Sequence, residues 1–257
     1  MTPGTRLLNS RTPRLSLLGG FCLVVDGEPV ALPIHAQRVL AYLSVVQPSL
    51  PAHLRAGVAE QLWDETSAER SHASLRTALW RIRQAHPSLV HASRETLRMN
   101  DTVEVDVRRG MAQARRLLAP QGELQPADAS LHALQGDLLP GWDEDWLLLE
   151  RERVRQVQVH ALEALANRLR RLGRHAESAE AAYAAISHEP LRESAHAALI
   201  DVFLDEGNPA QALSQLKRYA QLLWSELGIR PSPELTGRVS AGAIDQRQIV
   251  LSASDPR

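Results

Sequence analysis

Four residues in the C-terminal half of this chain return at one fixed interval. Leu165, Leu169, Gly173 and Ala176 recur as Leu199, Phe203, Gly207 and Ala210, each 34 positions later. That period belongs to tetratricopeptide helix pairs, which bury their apolar faces only by stacking on a neighbour. The repeat predicts a helical array here and excludes a sheet. Ahead of it, Asp143 to Gly173 reads as one long helix carrying Trp146, Leu149, Val154, Val157, Ala161, Leu165, Leu169 and Leu172 on a face. Pro190 closes the first unit, and the last helix runs to about Leu227 before Gly228 and Pro231. The pattern reads as helical throughout from Val107.

The N-terminal half follows a different period. Asp26-Gly27 between two apolar runs signals a hairpin within residues 15–33. Cys22 lies in that run and is expected to be a small buried hydrophobe. As the only cysteine it can form neither an internal disulfide nor a multi-cysteine metal site. Three helical segments follow, His35 to Val46 (ended by Gln47-Pro48), Leu54 to Trp63 and Ala68 to His86, and then an alternating stretch with Ala92 to Glu95 at a hairpin tip. Sheet, three helices and a two-stranded wing make a winged helix-turn-helix, whose third helix is the reading helix. The fold expected is mainly α with a small β component. Residues 1–13 are expected to be a disordered N-terminus, 14–106 the winged helix, 107–240 the helical repeats and 241–257 a flexible tail.

The formal net charge is −1, so no global imbalance announces a nucleic-acid partner. Locally the picture changes. Arg70, Arg76, Arg81, Arg83, Arg94 and Arg98 face a single acid, Glu95, within residues 70–98. Positive charge is thereby concentrated on the third helix and the wing, the parts of this motif that meet DNA. With Leu75 at the centre of the core face, Leu79, Ile82 and Ala78 fall beside it by helical phase. Ser74, Thr77 and Arg81, with Arg70 at the helix start, are the candidates for base edges. Arg76 and Arg83 are candidates for phosphate contacts, which position without specifying. Trp80 points outward, either to sugar or a thymine methyl or to the wing. Arg94 at the wing tip could enter a minor groove, and Arg98 adds to the wing's charge. Arg38 on the first helix reads as an ordinary surface arginine.

Enzyme signatures do not stand out. The sequence has no phosphate loop, no Gly-x-Ser-x-Gly and no HExxH, and its ten histidines form no ligand-spaced cluster. His72, His160 and His175 sit on predicted helices in surface or capping roles. Asp143, Glu144 and Asp145 precede a helix, where negative charge favours the dipole. No cofactor and no metal is expected. The first residues lack a secretory core, and no apolar run reaches the roughly 18–20 residues of a membrane span. A cytoplasmic protein without a membrane partner is the expectation. Lys217 is the one lysine among 29 basic residues.

Several of these stretches resemble a known family. SLRTALWRIRQ, after a helix ending in QLW and before a wing leading into VDV, resembles the OmpR/PhoB-like winged helix of the Streptomyces antibiotic regulatory proteins. LLPGWDEDWLLLERERVRQ, EPLRESAH and ELGIRPSPEL, in that order, resemble the bacterial transcriptional activation domain of the same family. Together the two regions cover about residues 14–240. The resemblance implies a pathway-specific activator of a secondary-metabolite gene cluster, such as antibiotic biosynthesis. Two protomers would sit side by side on direct repeats of double-stranded DNA near a promoter and recruit RNA polymerase through its sigma and alpha subunits. Two departures stand out. Glu95-Thr96-Leu97-Arg98-Met99 replaces a common glycine-tyrosine pair in the wing, and PAHLRA lacks the usual acidic start of the second helix. Two alternatives stay open: a helical-repeat interaction scaffold whose winged helix binds DNA weakly or not at all, and a ligand-responsive regulator.

Overall fold

The computed structural model describes residues 12–46, 51–119 and 124–240. The expected C-terminal tail, most of the expected N-terminal one and the stop at Gln47-Pro48 lie outside them. Two compact units divide the chain, Met1–Ala112 with Gly136–Val154, and Gln113–Gln135 with Arg155–Arg257.

The first unit opens with β1 (Arg14–Ser16), β2 (Cys22–Val25) and β3 (Glu28–Pro29). The turn joining β2 to β3 has Asp26 at φ 54° and Gly27 at φ 92°. Two left-handed residues in a row match the twist of a two-residue hairpin, and Asp-Gly supplies them at low steric cost. Alternation buries Leu15, Leu17, Leu23 and Val25. Cys22 falls on the opposite phase and is exposed, against expectation. In a four-residue strand either phase fits the apolar content, and packing partners decide. The sheet order is β3-β2-β1-β7, where β7 (Glu104–Val105) runs parallel to β1. The Asp106 carboxylate then accepts the N–H groups of Leu17 and Leu18 at 2.9 and 3.0 Å. Burial pushes that carboxyl up from its ordinary value, and these bonds pull the other way.

Three helices form the body of this unit: α1 (Ile34–Val45), α2 (Arg55–Leu62) and α3 (Ala68–Ala85). Ala36, Val39, Leu40 and Leu43 of α1, Val58 and Leu62 of α2, and Leu75, Ala78 and Ile82 of α3 share one core. A second sheet, β4 (His53–Leu54), β6 (Thr96–Met99) and β5 (Val90–Ala92), carries the wing. The mainly helical fold with a small β region and a winged helix-turn-helix is as expected. Asp106 opens α4 (Asp106–Leu118), and Arg108 on its first turn donates to the carbonyls of Leu43 and Ser44 at 2.7 and 2.9 Å. Those carbonyls end α1, where the dipole favours a cation.

Helix does not continue unbroken after Val107. Short 3-10 turns occupy Pro126–Ala129 and Leu131–Leu134, and Leu138 makes an antiparallel bridge to Leu18. Leu138, Leu139, Leu147 and Val154 join the first core. The face of α5 (Asp145–Arg171) therefore runs through Leu147, roughly 200° round the helix from Leu149. Leu149 and Leu172, placed on that face by the sequence, are exposed.

In the second unit the repeat is realised as the end of α5 with α6 (His175–His188), followed by α7 (Glu193–Asp205) with α8 (Pro209–Leu227). Gly173 and Gly207 take the same left-handed φ, 71° and 72°. Leu165, Leu169, Leu199 and Phe203 are buried. Ala176 and Ala210 are exposed, and the buried small pair at the same spacing is Ser178 and Ala212. Gly228, at φ 67°, ends α8 where the sequence placed its stop. A ninth helix, α9, covers 233–240.

Candidate nucleic-acid interface

The candidate surface is built on α3. Burial of Leu75, Ala78 and Ile82 fixes the helix's rotation, so the remaining phases must face water. Arg70, Ser74, Thr77 and Arg81 recur at i, i+4, i+7 and i+11 and form one row. Arg70, Thr77 and Arg81 are exposed, and Ser74 is half-buried. At 1.5 Å per residue the row spans roughly 16 Å, about five base-pair steps of duplex. The Thr77 hydroxyl donates to the Ala73 carbonyl at 3.1 Å, which leaves its methyl and lone pairs facing outward. The Arg81 guanidinium lies 4.8 Å from the centre of the half-exposed Trp80 ring. A cation over an indole face is attracted by the ring quadrupole.

Arg76, Trp80 and Arg83 form a second row. They line a cleft of about 360 Å³ together with Arg55 and with Val90 and Ala92 of the wing strand. Trp80 thus borders the wing while keeping half its surface in water. Arg70, Arg76, Arg81, Arg83 and Arg94 have no carboxylate within ion-pair distance among the described residues. Arg98 differs. Its guanidinium pairs with Asp101 at 2.8 Å, just past the stretch whose charge the sequence reading counted. Arg38 is not an ordinary surface arginine. It pairs with Glu144 at 2.6 Å and lies 5.6 Å from the Trp63 ring centre, an arrangement set by a residue far along the chain.

The wing tip closes through a serine side chain. The Ser93 hydroxyl accepts the N–H groups of Glu95 and Thr96 at 3.2 and 2.9 Å, and Ser93 N–H donates to the Thr96 carbonyl at 2.9 Å. A side-chain oxygen thus does locally what a left-handed glycine would do. Arg94 stands exposed at the tip. Arg55 is the residue that charge counting over 70–98 missed. Its N–H donates to the Glu95 carbonyl at 2.8 Å and its guanidinium to the Ser93 carbonyl at 3.0 Å, tying the wing tip to α2. The signal available in the sequence was a basic residue opening the second helix, outside the stretch whose charge was counted.

A winged helix-turn-helix followed by helical repeats is the architecture of a bacterial transcription regulator. The family model described as bacterial transcriptional activator domain matches residues 101–241, more than half of the chain. The chain belongs to that family, with the winged helix placed ahead of the domain as in the Streptomyces antibiotic regulatory proteins. A solved structure of Mycobacterium tuberculosis EmbR in complex with a low-affinity phosphopeptide has a similar fold, with a TM-score of 0.67 at 20% identity. The match covers 91% of this chain, which spans 65% of the EmbR chain's length. Comparison with curated proteins finds no match. No helix among the described residues is long and apolar enough to cross a membrane.

Proposed function

We propose that this activator binds double-stranded DNA sequence-specifically through α3 and the wing. Arg70, Ser74, Thr77 and Arg81 read base edges in the major groove. Arg76 and Arg83 hold phosphates beside the cleft, Trp80 packs on sugar or a thymine methyl, and Arg94 reaches the neighbouring minor groove. Arg98 contributes only where phosphate displaces Asp101. The reading rests on one observation: on the helix that this motif presents to DNA, exposed arginines have no carboxylate partner among the described residues. Guanidinium groups with no internal partner keep their full charge for phosphate and guanine.

The same reading extends to a cytoplasmic, pathway-specific regulator of a secondary-metabolite gene cluster. Two protomers associate on direct repeats near a promoter, and polymerase is recruited through its sigma and alpha subunits. Selection of the full chain against a random duplex pool tests it. Bound sequences should converge on a repeated half-site, and affinity should fall steeply with salt. A pool that fails to converge would favour an interaction scaffold instead, and convergent binding unchanged by the double variant Arg70→Ala, Arg81→Ala would put the reading face elsewhere.

A further inference from the structure

The apolar surface of helix α8 is wider than the part it buries, with Leu216, packed at the margin of the second core, continuing it outward. Ala212, Gln215, Tyr219 and Leu223 are buried in the second core. Leu213, Leu216, Ala220, Trp224 and Leu227 form an adjoining stripe at i, i+3, i+7, i+11 and i+14, and Leu213, Trp224 and Leu227 are 43%, 61% and 55% exposed. An ordinary surface helix needs only one such stripe. An open groove of about 750 Å³ runs along the second, lined by Leu216, Ala220, Trp224 and Pro233 and by the cations Lys217 and Arg230.

The charges in the groove are one-sided. No carboxylate lines it, and neither Lys217 nor Arg230 takes part in an ion pair among the described residues. Nearby cations of α8 and α9 are engaged: Arg218 donates to Gln215 at 2.8 Å, and Arg238 pairs with Asp201 at 2.9 Å and Glu234 at 2.8 Å. Trp224 and Arg230 belong to the residue types most enriched in binding hot spots. We infer that this groove docks an acidic protein segment whose apolar anchor packs on Trp224 while its carboxylates pair with Lys217 and Arg230. The inference stands whether or not the first unit reads DNA.

Lys217 is the only lysine, so an amine-reactive reagent reports on this groove with the N-terminal amine as internal reference. The probes are a synthetic amphipathic peptide with leucine and glutamate faces, and its counterpart with arginine for glutamate. With the full chain, the acidic peptide should slow acylation of Lys217 severalfold and shift the Trp224 indole resonance, assigned by Trp224→Phe. The arginine peptide should do neither. The double variant Lys217→Glu, Arg230→Glu should exchange the preference on the indole signal, with an unchanged thermal midpoint showing that the fold is intact. Equal response to both peptides, or to neither, overturns the proposal. So does Lys217 protection without peptide: a second copy covers the groove if dilution relieves it, and the chain itself covers it if dilution does not.

Discussion

Arg81 and Arg83 lie two positions apart on α3, yet roughly 200° of helical turn puts them to different uses. Arg81, held over Trp80, stands in the outer row with Arg70 and Thr77. Arg81→Ala should weaken binding to the selected sequence by about 1–3 kcal/mol and leave non-specific binding nearly unchanged. Arg83 belongs to the cleft. Arg83→Ala should weaken binding to every duplex alike and reduce the log–log salt slope by about 0.9. Mobility-shift titrations at several salt concentrations separate the two, and equal losses on both kinds of DNA for Arg81→Ala would misplace the reading row. The rotation of α3 was legible because Leu75, Ala78 and Ile82 set it locally. Cys22, Arg38 and Arg98 were not. Strand phase decides the first, and partners outside the local period decide the others: Glu144 far along the chain, Asp101 three residues on.

Elements with a sustained period could be read from the sequence, and those without one could not. All three helices of the winged domain and both hairpins were visible. The strand β4 was not, lying where the second helix was expected to begin, and nothing in the alternating stretch that holds Glu104–Val105 showed that β7 pairs with β1. The β1–β7 pairing brings together residues about ninety positions apart, and it leads directly into the Arg108 contact on α1. That contact carries its own prediction. Burial lowers the Arg108 pKa from its ordinary value, but charged bonds to two carbonyls repay part of that cost. Arg108→Met keeps much of the aliphatic stem and removes both bonds. It should destabilise the first unit by about 1.5–3 kcal/mol, read as faster hydrogen exchange of the last-turn amides of α1. Unchanged protection there would show that the guanidinium does not cap the helix.

Across the whole molecule, the repeat announced the second unit, whereas the return of Gly136–Val154 to the first rests on long-range contacts that no local pattern encodes: the Leu18–Leu138 bridge, the Arg38–Glu144 pair and the burial of Leu138, Leu139 and Leu147 in the first core. Within the second unit the repeat places a histidine, His196, where the preceding unit has Leu162. Its Nε2 bonds to the Pro190 carbonyl at 2.8 Å, its Nδ1 to the Gln215 amide at 2.8 Å, and its ring stacks 4.1 Å from that of Tyr219. Arg218 holds the Gln215 carbonyl oxygen at 2.8 Å, so the amide turns its NH2 toward Nδ1 and a proton there has no acceptor. Burial lowers the His196 pKa below 6.5, with Arg218 acting in the same direction against the Pro190 bond and Glu193. The unfolded chain therefore takes up a proton near pH 6.5 before the folded chain does. Stability from the neutral ring is complete above that pH and declines as pH falls toward the folded value. Asp201, raised by burial, acts in the opposite sense in a window that opens nearer its ordinary 3.8. Between about pH 7.5 and 5.5, hydrogen exchange of α7 and α8 corrected for intrinsic rates should accelerate in the parent protein. In His196→Phe exchange should be faster at neutral pH and flat across the same interval. His53, in the first unit, is also lowered by burial, and His53→Phe with an unchanged slope in α7 and α8 separates its contribution from that of His196. An identical pH slope in His196→Phe would place the titrating group elsewhere.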